Sequence, residues 1–290
     1  MSCIPARLVL LAALVALATF GMGARCYPPD TRVVVFIQGL YTTYDGETQS
    51  TTLEGPRFST LKQAFLAAGY DPDDLLDYSY AGGGLENDAW NPAHYACQLT
   101  DRAADESLTV LEAMLRDVRG SRDRVHFTLV GHSLGGYLAF LEGAREAARS
   151  DSDKLDIDVI VTLDAPLLGV DADKKAIIDN IPCDKTYIAG AEIVAQKLDP
   201  EIAATRSAQA ALMAEQSVWL GNFGNENDCL WNTSHCLPGS GFIDDSGTQY
   251  AEGAAATHEY AIDSGPFDSH DAILAHPQAV ADVVAFVGEP

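Results

Sequence analysis

Basic side chains are scarce in this chain. Its 290 residues hold 18 lysines and arginines against 42 aspartates and glutamates, a formal charge of −24. Such a balance repels phosphate backbones and anionic bilayers at long range, which argues against nucleic-acid binding. Long hydrophobic runs are lacking too. The longest, Leu8–Phe20, spans 13 residues, short of the ~20 that cross a bilayer. The chain has no Cys-x-x-Cys pair, no paired Cys/His spacing of a zinc module, no internal repeat, no low-complexity tract and no interdomain linker. What remains is an ordinary globular composition, 47% hydrophobic and 21% charged with 24 Gly and 13 Pro. A chain of this length can bury a substantial core as one domain.

The N-terminus differs from the rest. Arg7, the apolar run, then Gly21, Gly23 and Ala24 give the basic start, apolar centre and small-residue exit of a secretory signal peptide. This assigns residues 1–25 to the signal, with an uncleaved membrane anchor as the alternative. Arg25 speaks against lipid attachment at Cys26. A mature chain of 26–290 would carry a charge of −26, because the lost segment holds Arg7 and Arg25 and no acid. Export suits the cysteines. Cys97, Cys183, Cys229 and Cys236 allow three pairings, and Cys229 and Cys236, close together in a Gly/Asn/Asp-rich stretch, form a natural local disulfide in an oxidising compartment. Asn232-Thr233-Ser234 is a glycosylation acceptor pattern, of consequence in a eukaryotic source.

From Thr31 onward apolar runs alternate with helical patterns, the rhythm of a parallel sheet wrapped by helices. Strands are predicted at Val33–Ile37, Leu75–Tyr80, Val125–Val130 and Asp158–Leu163, with weaker ones at Val218–Phe223 and Tyr260–Ile262. Helical spacing joins Phe58, Leu61, Phe65 and Leu66 ahead of a capping Gly69, and Leu108, Leu111, Leu115 and Val118 ahead of Gly120. A last helix is expected over Ala272–Val287, with Pro277 at a first turn or kink. Residues 167–217 lack a convincing strand until their end and hold the helix-friendly stretches Ala172–Ile178, Ile188–Lys197 and Ile202–Met213. They read equally as a helical cap inserted between two core strands or as ordinary connecting helices.

The sharpest motif is Gly131-His132-Ser133-Leu134-Gly135-Gly136, which follows the Val125–Val130 strand and precedes Tyr137, Leu138, Leu141 and Ala144 at helical spacing. Strand, G-x-S-x-G, helix is the order that forces a serine onto a strained turn, with Gly131 and Gly135 permitting the close packing. Such a turn lifts the Ser133 hydroxyl out of the sheet and aims the Leu134 N–H, at a helix start, toward a developing oxyanion.

This motif, with Val33–Leu40 (VVVFIQGL), Thr162–Gly169 (TLDAPLLG) and Ser269–Pro277 (SHDAILAHP), resembles α/β-hydrolases of the lipase and esterase kind. The likeness is strongest to GPI-inositol-deacylase-like and triacylglycerol-lipase-like hydrolases, and it extends over nearly the whole of 26–290. It implies an α/β-hydrolase fold, a mostly parallel central sheet with helices on both faces. It also implies a Ser-acid-His triad in that chain order, without metal or organic cofactor. Ser133 maps to the nucleophile, and Gly131, His132 and Gly135 to its elbow. The oxyanion donors map to the amides of Leu40 and Leu134. Gln38 stands where similar enzymes usually have His, a change that spares the backbone donor.

Of the seven histidines, His270 fits the base, since it sits in a polar loop between the last strand and the last helix. His276 reads as surface and His132 as shaping the pocket. The acid is Asp228, in the loop after Val218–Phe223, or alternatively Asp164 at the end of the preceding strand. Asp244 and Asp245 read as surface charge. Tyr41, Thr42, Thr43 and Tyr44, past the oxyanion turn, line the acyl pocket or are plain loop residues. The expected function is a secreted serine hydrolase acting on small-molecule or lipid esters, with transient contact at a lipid interface. An acyltransferase or thioesterase would use the same triad, and a silent binding protein of this fold is the remaining rival.

Overall fold

The computed structural model describes residues 30–45, 49–51, 58–122, 124–170, 172, 183, 188–225, 254–262 and 269–289. The assigned signal peptide, the Cys229–Cys236 pair, Asn232, Asp228, Asp244 and Asp245 lie outside the described residues, as does nearly all of the Ala172–Ile178 stretch. The strands in chain order are β1 (Thr31–Ile37), β2 (Thr42–Tyr44), β3 (Gln49–Thr51), β4 (Leu75–Asp77) and β5 (Gly83–Glu86). They continue with β6 (Ala89–Pro92), β7 (Val125–His132), β8 (Ile157–Leu163), β9 (Trp219–Asn225) and β10 (Ala256–Tyr260). Six form one sheet in the order β10-β9-β8-β7-β1-β4, with every neighbouring pair parallel.

The sequence dictates this layering. Val33 to Ile37 are each 0% exposed, because a parallel strand is covered on both faces. Val33, Val35 and Ile37 pack with Leu111 and Leu115 of α2 (Ala104–Ser121) and Leu138 of α3 (Leu134–Ala148). On the other face Val34 and Phe36 meet Phe58, Leu61 and Phe65, the last two on α1 (Ser59–Ala67), together with Val283 of the C-terminal helix. In the 167–217 region, α4 (Ile188–Leu198) is followed by α5 (Ile202–Glu215). Ala210 and Met213 of α5 join the core on the α3 side, as in a helix linking neighbouring strands.

The strand order places the site. The first sheet strand, β1, lies one in from the edge; the chain runs from it to the β4 edge and returns to β7 on the other side of β1. Connections therefore leave in opposite directions from the carboxyl ends of β1 and β7, and open α/β sheets form their ligand crevice at such a switch point.

Several boundaries differ from expectation. The Leu75–Tyr80 strand stops at Asp77. Buried Tyr78 and Tyr80 need acceptors, and their hydroxyls donate to the carbonyls of Ser107 (2.9 Å) and Gln38 (2.6 Å). Gly83 and Gly84 belong to an unforeseen hairpin, β5 with β6, which turns at Asn87 and Asp88 with φ of 50° and 64°. Two successive left-handed residues match the twist of a two-residue hairpin, and Asn and Asp tolerate that conformation. The last sheet strand is Ala256–Tyr260, with Ile262 beyond it, held by its N–H to Asn225 Oδ1 at 3.2 Å. The expected Ala272–Val287 helix is broken into α6 (Ser269–Ala272), a 3-10 turn over Ile273–Ala275, and α7 (Pro277–Val287). Pro277 keeps His276 extended and opens α7 as its first residue.

Candidate active site

β7 ends at His132, and Ser133 turns the chain into α3 with φ 56° and ψ −128°. A residue with a β-carbon held there stores about 1–3 kcal/mol of backbone strain. The surroundings impose it. Ser133 N–H donates to Leu163 O at the end of β8 (2.9 Å), while its carbonyl accepts from the amides of Gly136 (2.9 Å) and Tyr137 (3.1 Å). The flanking glycines are steric necessities. A Cβ on Gly131 would lie 2.2 Å from Gly135 O, and one on Gly135 would lie 2.0 Å from Ile37 O. Leu134 opens α3, so its N–H has no acceptor within the helix and sits at the positive end of the helix dipole.

The turn after β1 lies directly against this serine. A Cβ on Gly39 would stand 2.8 Å from Ser133 Cβ and 3.2 Å from Oγ, so the Leu40 amide follows a backbone packed closely against Ser133. This turn is braced from behind. Thr42 Oγ1 donates to Gly39 O (2.9 Å), and Tyr41 N–H, from a residue at φ 60°, donates to Thr100 Oγ1 (2.7 Å). Thr100 in turn donates to Cys97 O (2.7 Å), and Cys97 is disulfide-bonded to Cys183. Tyr41, Thr42 and Tyr44 are buried and Thr43 is half-buried, so Thr42 acts as a brace for the turn. Gln38 is fully buried, its backbone carbonyl taken by the Tyr80 hydroxyl.

Two of the seven histidines come together here. His270, on α6 and 9% exposed, has its ring centroid 4.6 Å from that of His132, which is 0% exposed. His132 Nε2 lies 2.8 Å from the His270 carbonyl oxygen. A carbonyl only accepts, so His132 carries its proton on Nε2 and holds α6, with the base candidate on it, against the end of β7. Asp271 Oδ1 stands 3.8 Å from the same nitrogen. Asp164 follows β8 with φ 44° and is buried, its Oδ1 accepting the Asn225 N–H at 2.6 Å. One ligand atom each from His132, Asp164 and His270 falls within 4.8 Å of the others.

The remaining described histidines lie elsewhere. His126 pairs with Asp158 (2.7 Å) near the start of β7, about 23 Å along the strand from Ser133 at ~3.3 Å per residue. His258 stacks on Phe223, His94 is exposed, and His276 caps α7 by accepting from Ala279 N (3.4 Å). His235 lies outside the described residues. Sequence reasoning missed the Thr100 brace and the His132–His270 bond, since both join positions far apart in the chain.

No family model matches this chain, and no curated protein matches it. Solved structures do. The product of the gene lin2722 from Listeria innocua superposes with a TM-score of 0.52 at 14% identity, over 90% of this chain and 95% of that one. A structure from the work on LipS and LipT, two metagenome-derived lipolytic enzymes, gives 0.52 at 13% identity over the same shares. A truncated carbohydrate esterase from gut microbiota gives 0.52 at 12% identity, over 91% of this chain and 87% of that one. With its parallel six-stranded sheet flanked by helices, the chain has the α/β-hydrolase fold. Likeness at these identities speaks for the fold, and the chemistry has to be argued from the residues at the switch point.

Proposed function

We propose that this chain is a serine hydrolase that cleaves carboxylic esters through an acyl-enzyme. The observation that carries the reading is Ser133 held at φ 56° at the switch point, in contact with the Gly39 turn. His270 takes the proton of Ser133 Oγ as that oxygen attacks the ester carbonyl, and the tetrahedral oxyanion rests on the amides of Leu40 and Leu134. His270 then protonates the leaving alcohol, and water activated by the same imidazole releases the acid. The acid of the triad is Asp164, supported by its burial and by its carboxylate reaching within 4.8 Å of the His132 and His270 nitrogens. Asp228 is the rival from the sequence.

Small-molecule esters are the substrate class, and chain-length preference decides between an esterase and a lipase that contacts a lipid surface. Secretion is part of the proposal. The signal-like residues 1–25 support it, and so does a Cys97–Cys183 disulfide, a bond of oxidising compartments. Among the described residues no helix is long and apolar enough to cross a membrane.

The test is hydrolysis of p-nitrophenyl esters of increasing chain length by the wild type, Ser133→Ala, Asp164→Asn and Asp228→Asn. Turnover lost in Ser133→Ala and reduced by orders of magnitude in Asp164→Asn is the expected result. A loss confined to Asp228→Asn moves the acid to that residue. Turnover by Ser133→Ala equal to wild type refutes the reading.

A further inference from the structure

We propose that His132, Asp164 and His270 form a binding site for a zinc ion, and that zinc bound there shuts the site off. The regulatory half rests on His270 being the base, while the binding half does not. Two imidazoles and one carboxylate are a donor set suited to zinc, whereas magnesium and calcium favour oxygen ligands. One ligand atom from each residue lies within 4.8 Å of the others, and the three side chains are buried to 0%, 2% and 9% exposure. Zinc bonds of ~2.1 Å at tetrahedral angles set donors about 3.4 Å apart, so binding draws the three donors together by up to about 1.4 Å from their separation of at most 4.8 Å.

The outer shell is already of the kind metal ligands use. His132 gives its Nε2 proton to the His270 carbonyl (2.8 Å), which leaves Nδ1 as its lone-pair nitrogen. Asp164 is oriented by the Asn225 N–H on Oδ1 (2.6 Å). Ser133 is half-buried, so the cluster borders on solvent at the nucleophile. A net charge of −24 raises the local concentration of cations. Coordination of His270 occupies the electron pair that would accept the Ser133 proton, so zinc and turnover exclude one another. No spacing in the sequence reveals such a site, because its ligands come from β7, the end of β8 and α6.

The test is calorimetric titration of the full chain with zinc chloride, alongside magnesium chloride. One zinc per chain is expected, with affinity falling at least tenfold in both His132→Gln and Asp164→Asn, each checked for native circular dichroism. Cobalt(II) supplies a readout on the wild type alone, since a low-coordinate N/O site gives intense visible bands and surface carboxylates give weak ones. Absence of zinc binding at millimolar concentration overturns the proposal. So does binding that both substitutions leave unchanged, or magnesium binding as tight as zinc. Inhibition of ester hydrolysis by zinc and its reversal by a chelator are expected in the same protein, and zinc bound without inhibition refutes the regulatory half. A protein that binds zinc and hydrolyses no ester overturns the hydrolase reading and leaves the metal site standing.

Discussion

Gly39→Ala probes the contact between the Gly39–Leu40 turn and Ser133, the proposed oxyanion turn and nucleophile, with one methyl group. That methyl would stand 2.8 Å from Ser133 Cβ, 3.2 Å from Oγ and 3.3 Å from His132 O. Carbon pairs settle at ~3.5–4.0 Å, so something must move by about 1 Å. Ser133 yields little, because its N–H is tied to Leu163 O and its carbonyl to the first turn of α3. The Gly39–Leu40 turn therefore shifts. Overpacking of this kind costs about 1–3 kcal/mol of stability, and a ~1 Å displacement of a catalytic group costs on the order of 100-fold in rate. Gly120→Ala is the control: it lies in α2 with nothing within 4 Å of the added carbon, and it should gain up to ~1 kcal/mol. Urea denaturation gives the stabilities, and p-nitrophenyl ester kinetics give kcat/KM. A Gly39→Ala protein with wild-type kcat/KM would show that Leu40 does not serve the oxyanion, and the reasoning would fall.

Other substitutions test the surrounding supports. Thr100→Val strands the buried Tyr41 N–H beside Leu40, so urea melts should show a loss of about 1–3 kcal/mol, with kcat falling more than KM changes. Cys97→Ser with Cys183→Ser opens a link across a sequence separation of 86, for which loop entropy gives about 4.6 kcal/mol of destabilisation; a reducing agent should destabilise the wild type more than the double variant. Glu142 is fully buried, and burial raises its carboxyl above the ordinary value while the Arg149 guanidinium, 2.6 Å away, opposes the shift. A raised acid favours the protonated folded state, so the wild type loses stability as pH rises through the unfolded-state value of 4.5. Glu142→Gln lacks that loss, and the stability difference should move in favour of Gln between about pH 4 and about pH 7; movement the other way contradicts the burial argument.

Much of the architecture is legible in the sequence because burial on two faces leaves a plain mark. Val33–Ile37, Val125–Val130 and Asp158–Leu163 are near-continuous apolar runs, and each is a central strand. The strand–turn–helix around Ser133 is legible for a related reason: two glycines are required where a side chain would strike backbone at 2.0–2.2 Å. The β5–β6 hairpin is not legible, since Gly83–Glu86 and Ala89–Pro92 are half-buried or exposed and carry no apolar alternation. The Tyr78–Tyr80 error has the same root. Buried aromatics look like strand, and their need for hydroxyl acceptors is visible only in space. The cysteine pairing and the approach of Asp164 to His132 and His270 are long-range facts. The second depends on the strand order β9-β8-β7, which a local pattern does not encode.

The central claim is that Ser133 is an activated nucleophile. Fluorophosphonate labelling of the folded protein, with the adduct mapped by mass spectrometry, tests it most directly. The account predicts a single stoichiometric adduct on Ser133, absent in Ser133→Ala and formed far more slowly in His270→Gln. An adduct on another residue, or no adduct on a protein with native circular dichroism, would contradict it.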